Sequence, residues 1–177
     1  MFIEGAERKD LGAASHFPIL AAALARTTGP VLEMGMGDFS TPMLHLMCKD
    51  RLLVSVENDP EWAAQFEEYR SPNHEIHLIK PGAPSPKAWA NCDIIEQHQW
   101  AVALIDHWSD RRYEIALRLK CRCKFIVCHD VEELWAPPGY SAGYHWSEMM
   151  GKFKYETIWR RYVPYTGIFS DEEEFTL

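Results

Sequence analysis

The sequence predicts an α/β fold, three layers built on a sheet of about seven strands, mostly parallel, with an antiparallel hairpin at the carboxyl end. Three observations predict it. Short apolar runs recur at 31–34, 52–56, 74–79, 100–105 and 124–128, and each gap leaves room for a crossover, as parallel strands require. The first run meets a glycine turn, VLEMGMGDFS, behind which a helical apolar series (Met43, Leu44, Met47) begins. The last two runs, 155–159 and 166–170, are joined only by RRYVPY, which is too short for a crossover and suits a hairpin.

Residues 1–12 read as a polar entry to the chain. Pro18 then stands in the first turn of a short amphipathic helix, ILAAALART, which Thr28-Gly29-Pro30 ends. Residues 1–28 are thus expected to form an N-terminal helical cap on a single domain spanning 1–177, with His16 at the helix start able to face a cleft beneath it. Ser40 or Thr41 is the expected N-cap of the helix after the glycine turn. The second strand ends at Glu57, and Asn58-Asp59-Pro60 opens a helix over EWAAQFEEYR. The third, HEIHLI, puts His74 and His77 on opposite faces. Three prolines and a glycine between 81 and 86 read as a loop, and Trp89 beyond it is a candidate wall for an aromatic ligand.

The fourth strand stops at Asp106, followed by a helix over RRYEIALRLK, and the fifth stops at His129-Asp130. WAPPGYSAGYHW, residues 135–146, is a Pro/Gly/Tyr-rich insertion whose Tyr140, Tyr144 and His145 are candidate substrate contacts. The acids at 171–174 read as a solvated end.

A chain of 177 residues suits one hydrophobic core. The net charge of −8 argues against a general nucleic-acid binder, which needs a basic surface. No apolar run has membrane-spanning length and the first ten residues lack a signal-peptide core, so no membrane partner is expected. Five cysteines, an odd count without a C-x-x-C pair, read as reduced thiols in a cytoplasmic protein.

The chemistry concentrates at strand ends. Glu33, Glu57, Asp106 and Asp130 each close an apolar run, and ligands of open α/β sheets bind outside those carboxyl ends. Two nucleotide-binding readings of the glycine turn compete. A dinucleotide fingerprint needs a third glycine, where Ser40 stands. The alternative is E-x-G-x-G, formed by Glu33, Gly35 and Gly37.

With Glu57 twenty residues after Gly37 and acids at two further strand ends, that pattern resembles the class I S-adenosylmethionine (SAM) methyltransferases over roughly residues 15–170. The resemblance implies a Rossmann-like sheet with SAM as cofactor. Its site would be built from Glu33, Gly35, Gly37, Ser40, Thr41, Glu57, Asn58 and Asp106. ALIDHWSDRRY and IVCHDVEELW look like the corresponding strand ends of small-molecule O-methyltransferases. They imply a small-molecule acceptor, methylated on a hydroxyl oxygen. Asp106, His107 or His129 would be the base, and Asp130, Tyr140, Tyr144 and His145 would contact the acceptor.

In a subgroup similar to catechol methyltransferase, acids matching Asp106 and Asp130 hold a divalent cation such as Mg²⁺. Val131 stands where that subgroup has Asn, which leaves His129 or Glu132 to complete the ligand set. Ala83 likewise replaces the acid that often touches the adenine side. Two alternatives stay open: a SAM-binding protein without methyl transfer, and an NAD- or nucleotide-binding enzyme on the same sheet, though 177 residues leave little room for a separate substrate domain.

Overall fold

Seven strands, β1 (Val31–Met34), β2 (Leu53–Glu57), β3 (His74–Leu78), β4 (Trp100–Ile105), β5 (Cys123–His129), β6 (Tyr155–Trp159) and β7 (Thr166–Ser170), form one sheet in the computed structural model. The structure describes residues 14–79, 85–108, 111–131 and 144–176. The spatial order is β3-β2-β1-β4-β5-β7-β6, parallel except for β7, which runs antiparallel to both β5 and β6. The chain steps outward from β1 to β3 and then returns to the other side of β1 with β4. Strand order therefore reverses between β1 and β4, and a crevice opens at their carboxyl ends.

Among the described residues five α-helices cover the sheet: α1 (Phe17–Ala25), α2 (Ser40–Met47), α3 (Pro60–Ala64), α4 (Ser85–Ala90) and α5 (Arg112–Leu119). The two-residue alternation of the strands divides the core into two layers. Val31, Val102, Leu104, Phe125 and Val127 face α1 and α2, where Ile19, Leu20, Leu24 and Leu44 bury against them. Leu32, Met34, Ala103, Ile105 and Ile126 face the opposite side, filled by Trp89 of α4, Ile115 and Leu119 of α5, and Trp146. α1 is thus a packed layer of the sandwich, and its N-terminal end reaches the carboxyl edge of the sheet.

Three local expectations are corrected. Neither Ser40 nor Thr41 caps α2: Phe39 is the N-cap and makes no side-chain cap bond, while Ser40 and Thr41 are the first helical residues. EWAAQFEEYR is not one helix. Asp59 caps the short α3 by accepting from the Glu61 and Trp62 amides, and a 3-10 turn at Glu67–Tyr69 follows. Only Ala63 and Phe66 bury there, and that three-residue spacing suits a tighter turn better than a continued α-helix. Of the loop expected at 80–86, residues 80–84 lie outside the described residues and Ser85 and Pro86 already belong to α4, whose Trp89 is 1% exposed in the core and so cannot wall a ligand.

The acidic end is tethered as well as solvated. Phe175 buries against Phe125 edge-on at 5.4 Å, and Glu173 pairs with Lys124 at 2.7 Å. Among the described residues no helix is long and apolar enough to cross a membrane. Cys48, Cys92, Cys123 and Cys128 are buried free thiols, and Cys121 is exposed.

Candidate cofactor cleft and the acid–histidine cluster beside it

A cleft of about 420 Å³ opens at the reversal point between the ends of β1, β2 and β4. Gly35 and Met36 form its floor, Glu57, Asn58, Asp59 and Trp62 one wall, and Asp106, His107 and Trp108 the other. Gly35 has φ of 91°, and a Cβ there would lie 2.5 Å from the His107 backbone nitrogen and 2.7 Å from the Asp106 carbonyl carbon. Only glycine permits both that conformation and that approach of β1 to β4.

Glu57 is buried at the wall. Its Oε1 accepts from the Asn58 and Asp59 amides at 2.7 and 3.0 Å, and its Oε2 from the Met36 amide at 3.2 Å. Burial still holds its carboxyl above the usual range, despite those three bonds. Oε1 is thereby filled, while Oε2 keeps lone-pair capacity for a further donor in the cleft. Trp62 is oriented by its indole N–H, which donates to the Met36 carbonyl at 2.7 Å. Trp108 stands 84% exposed at the rim.

Glu33 is turned away from this cleft. It shares a face with Val31, toward α2, and is fully buried there. Thr41 donates to its two oxygens at 3.0 and 3.1 Å, and Ser55 donates at 2.5 Å. The Gly37 amide in turn donates to Thr41 Oγ1 at 3.0 Å, so the acid beneath the glycine turn fixes its shape. Burial pushes the Glu33 carboxyl up to about 7. The bonds continue through Ser55 to His74 Nε2 at 2.9 Å, and from His74 Nδ1 to His45 at 3.1 Å.

Beside the cleft the ends of β4 and β5 carry a second constellation. Arg112 of α5 is its clamp: it donates to the carbonyls of His107, His129 and Asp106 at 2.6, 3.1 and 3.1 Å. It also pairs with Asp106 at 3.2 Å and Asp130 at 3.0 Å, and its guanidinium lies 4.0 Å over the Tyr144 ring. Asp130 is left-handed, with φ of 60°, a conformation that Asp tolerates better than most residues.

His129 lies between two acceptors. Its Nδ1 is 3.1 Å from Asp106 Oδ1, and its Nε2 is 2.9 Å from Ser15 Oγ. Ser15 spends its single proton on the Pro164 carbonyl at 2.6 Å, so it accepts from Nε2. Both ring nitrogens then carry protons. Burial opposes that charge, but Asp106 outweighs it and raises the His129 pKa. Burial likewise opposes the charge on Asp106, yet His129 and Arg112 hold that carboxyl down at about 2.

No protein-family model and no curated protein sequence matches the chain. Solved structures do. A protein from Klebsiella pneumoniae provisionally assigned as an O-methyltransferase superposes with a TM-score of 0.64 at 15% identity, covering 97% of this chain and 84% of that one. The Methanococcus jannaschii fibrillarin pre-rRNA processing protein gives 0.52 at 16% identity, covering 87% and 75%. A variant of the nicotianamine synthase MtNAS gives 0.53 at 13%, covering 95% and 66%. This chain has the class I SAM methyltransferase fold.

Within that methyltransferase fold the sequence-assigned residues divide. Gly35, Glu57, Asn58 and Asp106 line the cleft, together with Met36, Asp59, Trp62 and Trp108, which sequence reasoning passed over. Glu33, Gly37, Ser40 and Thr41 lie outside its lining and support the turn beneath it. Asp106, His129, Asp130 and Tyr144 come together around Arg112.

Two of the expected bases are poorly suited to the task. His107 is 1% exposed, stacked on Trp89 at 4.2 Å, and held neutral by burial; its backbone, not its ring, packs on Gly35. His129 already carries both protons. His145 is exposed on the side of Tyr113, with ring centroids 6.3 Å apart, and shows no contact with the cluster among the described residues. Tyr140, Ala83 and Glu132 lie outside the described residues. The expected Mg²⁺ between Asp106 and Asp130 does not fit, because the Arg112 guanidinium bridges those two acids and neutralises them.

Arg112 and Ser15 carried no sequence signal of their own role. His16, expected at the helix start and able to face a cleft, is buried against His129 with ring centroids 4.8 Å apart.

Proposed function

We propose that this protein is a SAM-dependent methyltransferase acting on a hydroxyl oxygen of a small-molecule acceptor. One observation carries the reading: Glu57, at the end of the strand beside the glycine turn, presents a backbone-pinned carboxylate to a cleft whose floor must be glycine. A carboxylate so held suits the paired hydroxyls of a ribose. Trp62 offers an aromatic wall beside it, and Gly35 lets a ligand approach the backbone. The likeness to methyltransferase-fold structures supports the same cofactor. Among its relatives in fold one is a pre-rRNA processing protein, but a net charge of −8 favours a small acceptor here.

The bound cofactor supplies a methyl group already activated by its sulfonium charge, so the main work of the chain is alignment. The cleft's open side brings an acceptor against Asp106, whose Oδ1 is engaged by Arg112 and His129. Its Oδ2 is left to accept the acceptor's hydroxyl proton. A carboxylate held near 2 is a weak base in the ground state. It suffices once the new C–O bond begins to form, because the acceptor proton then becomes strongly acidic. Arg112 and the His129 imidazolium keep that carboxylate ionised and in place.

Calorimetric titration with SAM, S-adenosylhomocysteine and NAD tests the reading. Binding of the two adenosyl ligands and not of NAD is expected, with Glu57→Ala losing at least about tenfold in affinity. NAD binding instead would transfer the protein to the dinucleotide class. Asp106→Asn should retain SAM binding and lose turnover on an acceptor identified by screening. Unchanged turnover in that variant would remove Asp106 from the chemistry, and binding without any turnover across acceptors would favour a SAM-binding protein.

A further inference from the structure

His16 is anomalous. Its ring is 1% exposed, and neither nitrogen has a hydrogen-bond partner among the described residues. Two orphaned nitrogens in a buried imidazole cost free energy unless something meets them. The titratable groups facing that ring among the described residues are His129, edge-on at 4.8 Å, and Asp106, and the Phe17 ring also meets it edge-on at 5.2 Å. One donor atom from each of His16, Asp106 and His129 lies within 4.8 Å of the others. Donors around an ion with bonds of about 2.1 Å stand roughly 3–4 Å apart, so closing the set needs only small side-chain rotations.

The surrounding bonds already aim these donors. Ser15 takes the proton of His129 Nε2, which leaves Nδ1 as the ligating nitrogen and fixes the ring plane. Metal-bound histidines are held in this way through their second nitrogen. Arg112 and His129 occupy Asp106 Oδ1 and leave Oδ2 free among the described residues. Arg112 itself is anchored by three backbone carbonyls, so it stays where it is if the carboxylate takes another partner. Asp106 is 23% exposed at the cleft, which provides an entry path.

We propose that His16, Asp106 and His129 form a three-ligand site for a first-row divalent transition-metal ion such as Zn²⁺, open to the cleft on its remaining side. The ion takes the place of the proton shared by His129 Nδ1 and Asp106; with it bound Asp106 is a ligand, and the proton-accepting role of its Oδ2 belongs to the ion-free form. Two imidazoles and one carboxylate select such an ion over Mg²⁺, which prefers an all-oxygen shell. The site is distinct from an oxygen-ligand site between Asp106 and Asp130, where Arg112 lies. It stands whether or not a methyl group is transferred, and its test is made without any adenosyl ligand.

The test is titration of the metal-free full-length chain with Co²⁺, followed by visible absorption. A d–d band that saturates at one ion per chain, displaced by Zn²⁺ and unaffected by excess Mg²⁺, is expected. His16→Gln should weaken Co²⁺ binding at least about tenfold, as should His129→Gln, while His145→Gln should bind like the wild type. Far-UV circular dichroism verifies that each variant is folded. If His129→Gln unfolds, His16→Gln alone decides, because its ring has no hydrogen bond to lose among the described residues. No visible band, displacement by Mg²⁺, or wild-type affinity in His16→Gln would each overturn the proposal.

Discussion

Glu33 shows how one side chain can serve a cleft that it does not touch. Its carboxyl holds Thr41 and Ser55 beneath the glycine turn, and burial raises its pKa to about 7 from an ordinary 4.5. At pH values below about 4.5 the acid is protonated whether the chain is folded or not. Between 4.5 and 7 the unfolded chain releases this proton and the folded chain keeps it, so stability falls as pH rises through that window. That contribution amounts to roughly 3 kcal/mol across the window.

His74, joined to Glu33 through Ser55, acts in the opposite sense. Burial and His45 lower its pKa to about 4, so its contribution is present above 6.5 and is lost as pH falls toward 4. The two slopes oppose each other where they overlap. Glu33→Gln should therefore expose the histidine's slope: urea unfolding of the variant should show stability rising with pH between about 4.5 and 7 more steeply than the wild type. Equal pH profiles for the two proteins would show that Glu33 is ionised in the fold.

At the scale of elements, α5 is tied to two strand ends by one residue. Arg112 reaches the carbonyls that follow β4 and end β5, and it neutralises an acid at each. Arg112→Met keeps the apolar stem but strands three carbonyls and two carboxylates in a largely dry site. Loss of one partner of a buried ion pair costs about 3–5 kcal/mol, and the variant should lose that much in equilibrium unfolding. A loss below about 1 kcal/mol would show that water takes over the clamp. Lys in its place should recover little, because an ammonium cannot span carbonyls on both strands.

Strand period explains which residues gather around this clamp. Asp106 follows Leu104 and His129 follows Val127, all on the face covered by α1, so both reach His16. His107 falls on the opposite face with Ile105 and meets Trp89. The bases expected from adjacent sequence positions thus point to opposite layers, a consequence of side chains alternating across a sheet.

At the scale of the whole molecule, the cleft exists because β4 returns beside β1. A ligand seated there contacts three strand ends at once and binds only the folded chain. SAM or S-adenosylhomocysteine at a hundred times its dissociation constant should therefore stabilise the protein by about 2.7 kcal/mol. In a chain of this size the melting temperature should then rise by about 5–10 °C in a thermal-shift measurement. No shift with either ligand at saturating concentration would count against the cleft as their site.

Much of this architecture is legible in the sequence because apolar runs, glycine and proline act locally. The seven strands, the hairpin forced by a short link, and the positions of Gly35, Glu57 and Asp106 all follow from spacing, and the structure places them accordingly. Strand order, the inward turn of Glu33, the Arg112 bridge and the meeting of His16 with His129 were decided only by tertiary packing. Each of these joins residues far apart in the chain, or depends on which face of a strand a neighbouring helix covers. A local pattern carries no information about which layer an acid will face until the helices have chosen their sides.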